Sequence, residues 1–311
     1  MLKIIQSLKH SFPLWRYFFW DLPFWAIGWR SRRRWLRMQS TLKNDAFAFK
    51  NSLQAFYANK DDVIDIDDAV NKALLIRAIR NSDAYACLGM SKKNLAKNFS
   101  ISGFEHLQNA LGLNRPIILL TAHMGSFYTI AIALAQLGIR IDPVARIVDD
   151  SQYNPLPQQY FEHSNYFLTQ TKMQGRYVYT NNTNKIDRHI ITACKNNGIL
   201  LVLPDIPRKF IPTNRFPVQL FGKKTSLPTR IIDLGIKYNA LFITLWSTIE
   251  FKSDYSFKRH LRIDPGIYTA DKKVILQNYA DRLSSIVCQE PWQWMGTAII
   301  NQYNEYNEET A

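Results

Sequence analysis

Short apolar runs alternate with amphipathic stretches along the second two-thirds of the chain. The apolar runs are typical of strands buried on both faces, and they cover residues 116–121, 141–146, 199–204 and 240–246. The intervening helical patterns cover residues 127–137, 187–195, 226–238 and 272–287. Strands that alternate with helices predict an α/β fold with a mainly parallel central sheet flanked by helices.

A different pattern precedes this alternation. Apolar residues recur at helical spacing from Ala46 to Ala78, which predicts a helical N-terminal region over residues 39–100. The α/β domain is expected over residues 101–300. The polar residues 301–311 are expected to form a frayed tail.

The first 38 residues combine aromatic and basic side chains. Five of the eight Trp residues fall within the first 35 positions. After Trp29 come five arginines without an acid among them: Arg30, Arg32, Arg33, Arg34 and Arg37. Tryptophan favours the headgroup level of a bilayer, and arginine is attracted to anionic lipid. This pattern predicts an N-terminal helical membrane-associating segment, either monotopic or a single anchor, over residues 1–38. The alternative is an aromatic helix packed on the main domain with a solvated basic face.

Composition limits the class of protein further. Hydrophobic residues at 47% and charged residues at 21% exclude global disorder, and three cysteines far apart exclude a disulfide scaffold. A net charge of +14 calls for a polyanionic partner. No zinc spacing, heptad run or RNA-binding motif is present, so an anionic membrane surface is expected and nucleic acid is not. The histidines have no ligand spacing, and no metal or cofactor is expected.

Two candidate catalytic residues follow predicted strands. His123 comes after the strand at 116–121, and Asp205 comes directly after the strand at 199–204. Catalytic groups of such sheets gather at the carboxyl ends of the strands. A neutral imidazole at the start of a helix could serve as a general base. The alternative for a single histidine at a strand end is a hydrogen-bonded structural residue.

Several motifs resemble, in the same order, those of one enzyme family. They are Ser102–Leu107 (SGFEHL), Ile117–Phe127 (IILLTAHMGSF), Val144–Arg146, Gly198–Asp205 (GILLVLPD), Val218–Gly222 (VQLFG) and Glu290–Met295 (EPWQWM). Together they resemble the lauroyl and myristoyl acyltransferases of lipid A biosynthesis, within the lysophospholipid acyltransferase superfamily. The resemblance spans roughly residues 101–296 and implies an acyltransferase-like α/β domain.

The resemblance also implies a catalytic pair in which a histidine deprotonates an acceptor hydroxyl and an acid five positions later orients the ring. This sequence keeps His123 but has Tyr128 at the position of the acid. A tyrosine carries no negative charge at pH 7. Three explanations stay open: Asp205 orients His123 from the next strand, Tyr128 positions the ring by a hydrogen bond, or the protein is a non-catalytic relative that binds lipid.

Further candidates concern substrate binding. Gly125 and Ser126 follow His123 in the motif. Arg146 matches the arginine that the family carries after its second strand; it could pair with a phosphate of donor or acceptor, or be a surface cation. Arg208 belongs to a basic cluster after Asp205 that could hold an anionic headgroup or an acidic carrier protein, or be a solvated loop. Phe221 and Gly222 are expected to line the acyl or acceptor groove.

The sequence therefore predicts an O-acyltransferase at the cytoplasmic face of a bacterial inner membrane. It would transfer a fatty acyl chain from acyl carrier protein (ACP) or coenzyme A (CoA) to a hydroxyl of a lipid or glycolipid, with His123 as the general base and no acyl-enzyme. The alternative is a catalytically impaired homologue that binds a lipid or a partner. The identity of the acceptor, the length of the acyl chain and the choice between ACP and CoA stay open.

Overall fold

A computed structural model describes residues 43–57, 64–88, 90–145, 172–179, 183–251 and 257–303. The predicted anchor at 1–38 and the candidate Arg146 lie outside these residues. None of the helices in the described ranges has the length and apolarity needed to cross a bilayer.

The helices of the described residues fall into two groups. Three precede the main sheet: α1 Lys43–Tyr57, α2 Ile66–Leu88 and α3 Lys92–Asn98. The others alternate with its strands: α4 Phe104–Leu111, α5 Ile130–Gln136, α6 Thr183–Lys195, α7 Arg230–Lys237 and α8 Lys272–Gln289. Single-turn 3-10 helices occur at Phe127–Thr129 and Pro291–Gln293, and a longer 3-10 segment covers Met295–Tyr303.

The described strands form one large sheet and one hairpin. They are β1 Phe99–Ser102, β2 Ile117–Leu120, β3 Asp142–Ala145, β4 Val178–Tyr179, β5 Ile199–Val202, β6 Arg215–Leu220, β7 Lys223–Pro228, β8 Leu241–Phe251 and β9 Phe257–Ile263. The order in the seven-stranded sheet is β1-β9-β8-β2-β5-β3-β4, and every pair is parallel except β8 with β9. The predicted mainly parallel α/β fold is confirmed.

The two central strands explain why the apolar runs are so uniform. All four residues of β2 and all four of β5 are buried. One large hydrophobic cluster packs against each face of the sheet: α8 covers one face, and α5 lies on the other. Because both faces are covered, the usual alternation of apolar and polar positions disappears from these strands.

The predicted helix at 226–238 is wrong in its first part. Residues up to Pro228 belong to β7, and the helix α7 begins only at Arg230. The antiparallel pairing of β6 with β7 was not predicted, nor were the strands β1 and β9. Phe221 and Gly222 form the two-residue turn of the hairpin, both with positive φ (55° and 76°), as hairpin turns with a right-handed twist require.

The packed chain extends beyond the start of the predicted polar tail. Tyr303 lies within the predicted tail at 301–311, yet it is only 4% exposed and its hydroxyl donates to the backbone oxygen of Asp205 at 2.8 Å. Tyr303 is therefore packed against the loop that follows β5, and the polar tail over the rest of residues 301–311 stays a prediction. Residues 304–311 lie outside the described part of the chain.

A buried ion pair joins α2 to the sheet. Arg259 of β9 donates to Asp83 of α2 through both Nε and Nη2, and both side chains are fully buried. Arg259 Nε also donates to Ser126 Oγ at 3.1 Å. The pair thus connects the N-terminal helices to the turn that follows His123.

We expect Asp83→Asn to lower the free energy of unfolding by about 3–5 kcal/mol, because it leaves a buried guanidinium without its matching negative charge. The matched control is Asp187→Asn, which breaks a pair with Arg230 in which both side chains are at least 40% exposed. The control should cost less than about 1 kcal/mol. Denaturant unfolding of both variants measures the difference, and equal losses would contradict the structural role of the buried pair.

Candidate active site

Strand register brings His123 and Asp205 together. In the parallel pair of β2 and β5, Leu120 lies opposite Val202. His123 and Asp205 each stand three positions beyond these paired residues, at the same edge of the sheet. The backbone amide of Thr121 donates to the carbonyl of Val202 at 2.9 Å, so the two chains stay adjacent past the strands.

The Asp205 carboxylate receives three N–H groups. The ring nitrogen Nδ1 of His123 lies 2.9 Å from Oδ1 of Asp205. The backbone N–H of His123 donates to Oδ2 at 2.7 Å, and the indole N–H of Trp294 donates to the same oxygen at 2.8 Å. The Asp205 side chain is 1% exposed, so these bonds replace the water that a buried carboxylate would lose.

This arrangement suits the His123 ring to accept a proton. A carboxylate at Nδ1 favours the tautomer with hydrogen on Nδ1 and a lone pair on Nε2. The His123 side chain is 35% exposed, whereas its partner is buried. A ring oriented from behind and open to solvent in front is the arrangement that general-base catalysis requires.

Tyr128 and Ser126 occupy different surroundings. The ring of Tyr128 lies 4.1 Å from that of Phe127, whose ring makes an edge contact with His123 at 5.2 Å between centroids. Ser126 is fully buried, and its Oγ accepts from Arg259. The Ser126 hydroxyl therefore supports the turn after His123. Its side chain is not exposed at the predicted substrate contact.

Gly125 is required by the close approach of β8. Its φ is +50°, and a Cβ at this position would lie 2.4 Å from the backbone oxygen of Ser247. Its N–H donates to the backbone oxygen of Gln293 at 2.8 Å. The turn that carries His123 is thus packed against two other segments.

Phe221 is joined to the site through packing, and Gly222 follows it in the hairpin turn. The Phe221 ring lies 5.4 Å from Trp294 and 5.3 Å from Phe56. The Phe221 backbone N–H donates to Ser284 Oγ of α8 at 3.0 Å. The hairpin turn therefore packs against Trp294, the tryptophan that donates a hydrogen bond to Asp205.

Arg215 holds the loop that follows Asp205. Its guanidinium donates to the carbonyls of Ile206 (2.8 Å) and Ile211 (2.9 Å) and to the hydroxyl of Ser226 (2.9 Å). Burial is the largest cause that lowers the pKa of Arg215 to about 10; the charge of Tyr303 raises this pKa, and the positive charge of Arg208 lowers it. The half-buried Arg208, three positions after Asp205, thus lies near a second cation.

Two residues at this site were not singled out as functional from the sequence: Trp294 and Tyr303. Burial, and then the charge of Asp205, raise the pKa of Tyr303 well above its usual value, so its hydroxyl stays a hydrogen-bond donor. Trp294 was visible only as part of the tryptophan motif near the C-terminus. The described residues contain no group of His, Cys, Asp and Glu that could hold a metal ion.

The match to a family model defines the class of this protein as an acyltransferase. The chain belongs to the bacterial lipid A biosynthesis acyltransferase family, whose model matches residues 75–297. Among solved structures, it is similar to the crystal structure of the 1-acyl-sn-glycerophosphate (LPA) acyltransferase from Thermotoga maritima. That similarity covers 82% of this chain and 94% of the other, at 14% identity and a TM-score of 0.34. The comparison with curated proteins gave no match.

We expect Gly125→Ala to destabilise the protein by more than Gly138→Ala. Both glycines have positive φ, which costs an alanine about 1–2 kcal/mol, but a Cβ at Gly138 has no neighbour within 4 Å. Only the Gly125 variant must also move backbone, next to His123. The midpoint temperature of thermal unfolding and the rate of acyl transfer should both fall further for Gly125→Ala. Equal effects of the two substitutions would show that the approach of β8 is not limiting.

Proposed function

We propose that this lipid acyltransferase is membrane-associated and transfers a fatty acyl chain from a thioester to a hydroxyl of a lipid or glycolipid, with His123 as the general base. The observation that carries the proposal is the contact between the His123 ring and the buried carboxylate of Asp205. Asp205 takes the place of the acid that the family carries where this chain has Tyr128.

The proposed chemistry is a direct transfer. Nε2 of His123 takes the proton of the acceptor hydroxyl as its oxygen attacks the thioester carbonyl carbon, so that a C–O bond forms. The tetrahedral intermediate then collapses, the C–S bond breaks, and the leaving thiolate takes the proton from the imidazolium. Asp205 stabilises the imidazolium between the two steps, as the acid does in other His–acid pairs.

The two arginines that follow Asp205 along the chain, Arg208 and Arg215, suit an anionic substrate. Arg208 and Arg215 lie close enough for the charge of one to lower the pKa of the other. A phosphate group, which both a phospholipid acceptor and the phosphopantetheine arm of either donor carry, would reduce this repulsion. Arg208, on the loop after Asp205, is the residue that we assign to such a group, and Arg146 is proposed for the same role from its motif alone.

The proposal also retains attachment to the cytoplasmic face of a bacterial inner membrane. The aromatic residues of segment 1–38 and the arginines at its end support this attachment. A membrane location also suits a reaction in which the acceptor and the product are both lipids. The specific acceptor class that we propose is a lipid A precursor, on the strength of the family, with acyl-ACP or acyl-CoA as donor.

The test is acyl transfer by the full-length enzyme from acyl-ACP and acyl-CoA to a lipid A precursor and to a lysophospholipid, followed by mass spectrometry. We expect His123→Ala to lower kcat by roughly 10²–10⁴-fold, because the general base is lost. Asp205→Asn should lower kcat by up to about 10⁴-fold, because the amide does not favour the reactive tautomer or balance the imidazolium charge.

His189→Ala is the matched control, because His189 is an exposed histidine on α6 and should leave kcat unchanged. Wild-type transfer by His123→Ala would overturn the mechanism. If the wild-type protein transfers acyl groups from neither donor to either acceptor but binds lipid, the non-catalytic alternative, which Tyr128 favours, would replace the enzymatic proposal.

Membrane attachment is tested by replacing Arg30, Arg32, Arg33, Arg34 and Arg37 with glutamine in the full chain. Each arginine contributes about 1 kcal/mol near an anionic surface, so binding to phosphatidylglycerol-containing vesicles should fall by roughly two orders of magnitude or more. The control replaces five exposed lysines outside the segment, namely Lys92, Lys93, Lys97, Lys223 and Lys273. Equal losses in sedimentation of both variants with vesicles would indicate a general charge effect and contradict a dedicated anchor.

A further inference from the structure

We propose that Trp294 is a positioning residue that fixes the Asp205 carboxylate against His123, within a C-terminal clamp formed by Gln293, Trp294, Met295 and Tyr303. The proposal rests on the proposed function of His123 and Asp205. It assigns to the end of the chain a role in catalysis that is separate from binding either substrate.

The clamp first holds the turn that carries His123. The backbone N–H of Met295 donates to the backbone oxygen of His123 at 2.9 Å, and Met124 and Trp294 form an antiparallel bridge. Gln293 accepts from the N–H of Gly125 through its backbone oxygen. Three consecutive residues of the clamp therefore contact three consecutive residues of the turn.

The clamp is itself attached to the sheet. The side-chain amide of Gln293 accepts from the N–H of Ile249 at 3.0 Å and donates to the carbonyl of Ile249 at 2.7 Å. This pairing copies the two hydrogen bonds that a neighbouring strand would make with β8. Gln293 is buried, so both bonds are protected from competition by water.

The same clamp holds the residue that faces His123. The indole N–H of Trp294 donates to Oδ2 of Asp205, and the hydroxyl of Tyr303 donates to the backbone oxygen of Asp205, both at 2.8 Å. Oδ2 thus has two donors, Trp294 and the backbone N–H of His123. Oδ1 is left for the imidazole, which fixes the rotation of the carboxylate group.

The position of Asp205 explains why such a fixing contact is needed. Asp205 and His123 are 82 residues apart and follow different strands, so no local turn links them. A buried carboxylate that rotates away from Nδ1 no longer favours the reactive tautomer. Small displacements of this kind cost up to about 10²-fold in rate.

The experiment compares Trp294→Phe with Trp292→Phe in the full-length enzyme. Trp294→Phe removes the N–H donor and keeps a ring against Phe221 and Tyr303. We expect kcat to fall by roughly 10- to 100-fold with KM unchanged. Trp292 packs against the α1 and α2 helices, with the Lys72 ammonium 4.5 Å from its ring centroid, so its substitution should leave kcat unaltered.

A double-mutant cycle separates positioning from a general structural role. If Trp294 acts through Asp205, Trp294→Phe should lower kcat in the wild type but not further in the Asp205→Asn variant. Effects that multiply in the double variant would overturn the proposal. The far-downfield proton resonance of His123 Nδ1–H should also weaken in Trp294→Phe and persist in Trp292→Phe; its persistence in both would count against the proposal.

Tyr303→Phe provides a second variant if Trp294→Phe does not fold. It deletes only the hydroxyl that donates to Asp205, and kcat should fall several-fold, again not further in the Asp205→Asn variant. Wild-type kcat in Tyr303→Phe, or losses that multiply, would overturn the clamp. Full activity of His123→Ala would instead reject the proposed function itself, whereas an inactive His123→Ala with a fully active Trp294→Phe would reject only this inference.

Discussion

The buried carboxylate of Asp205 is the group around which this end of the sheet is arranged. An aspartate that is 3% exposed is tolerated only when its oxygens are hydrogen-bonded, and here a ring nitrogen, a backbone amide and an indole meet that need. Two of these donors belong to His123, and the third belongs to Trp294. Satisfying one carboxylate therefore brings together the end of β2, the end of β5 and the C-terminal segment.

The same requirement extends outward from Asp205 in two directions. On one side, Arg215 donates hydrogen bonds to the backbone of the loop after Asp205. Its positive charge lies near that of Arg208. On the other side, the turn after His123 is held from behind by Arg259, which is paired in turn with Asp83 of the N-terminal helices. The partly exposed His123 ring is thus supported by buried polar contacts behind it, and such support keeps the geometry of a site constant.

Some of this arrangement was predictable from patterns along the chain. The uniform apolar runs of β2 and β5 predicted central parallel strands. Because the carboxyl ends of parallel strands lie at one edge, His123 and Asp205 were both candidates for that edge, and their contact was one of three open explanations. The hairpin of β6 and β7 was missed because the apolar spacing at 226–238 is also compatible with a helix, and the pairing with β6 decided the outcome. Local spacing alone cannot distinguish these two states over so short a stretch.

The sequence alone determined the class of fold, the family and the candidate base, because each of these is recognised from short runs of neighbouring residues. Only the tertiary structure decided which carboxylate contacts His123, and that Trp294 and Tyr303 donate hydrogen bonds to the same residue. The physical reason is distance along the chain: these contacts join residues 82 to 98 positions apart. No local pattern records such a contact, because it arises only when the sheet register and the packing of the C-terminal segment are both complete.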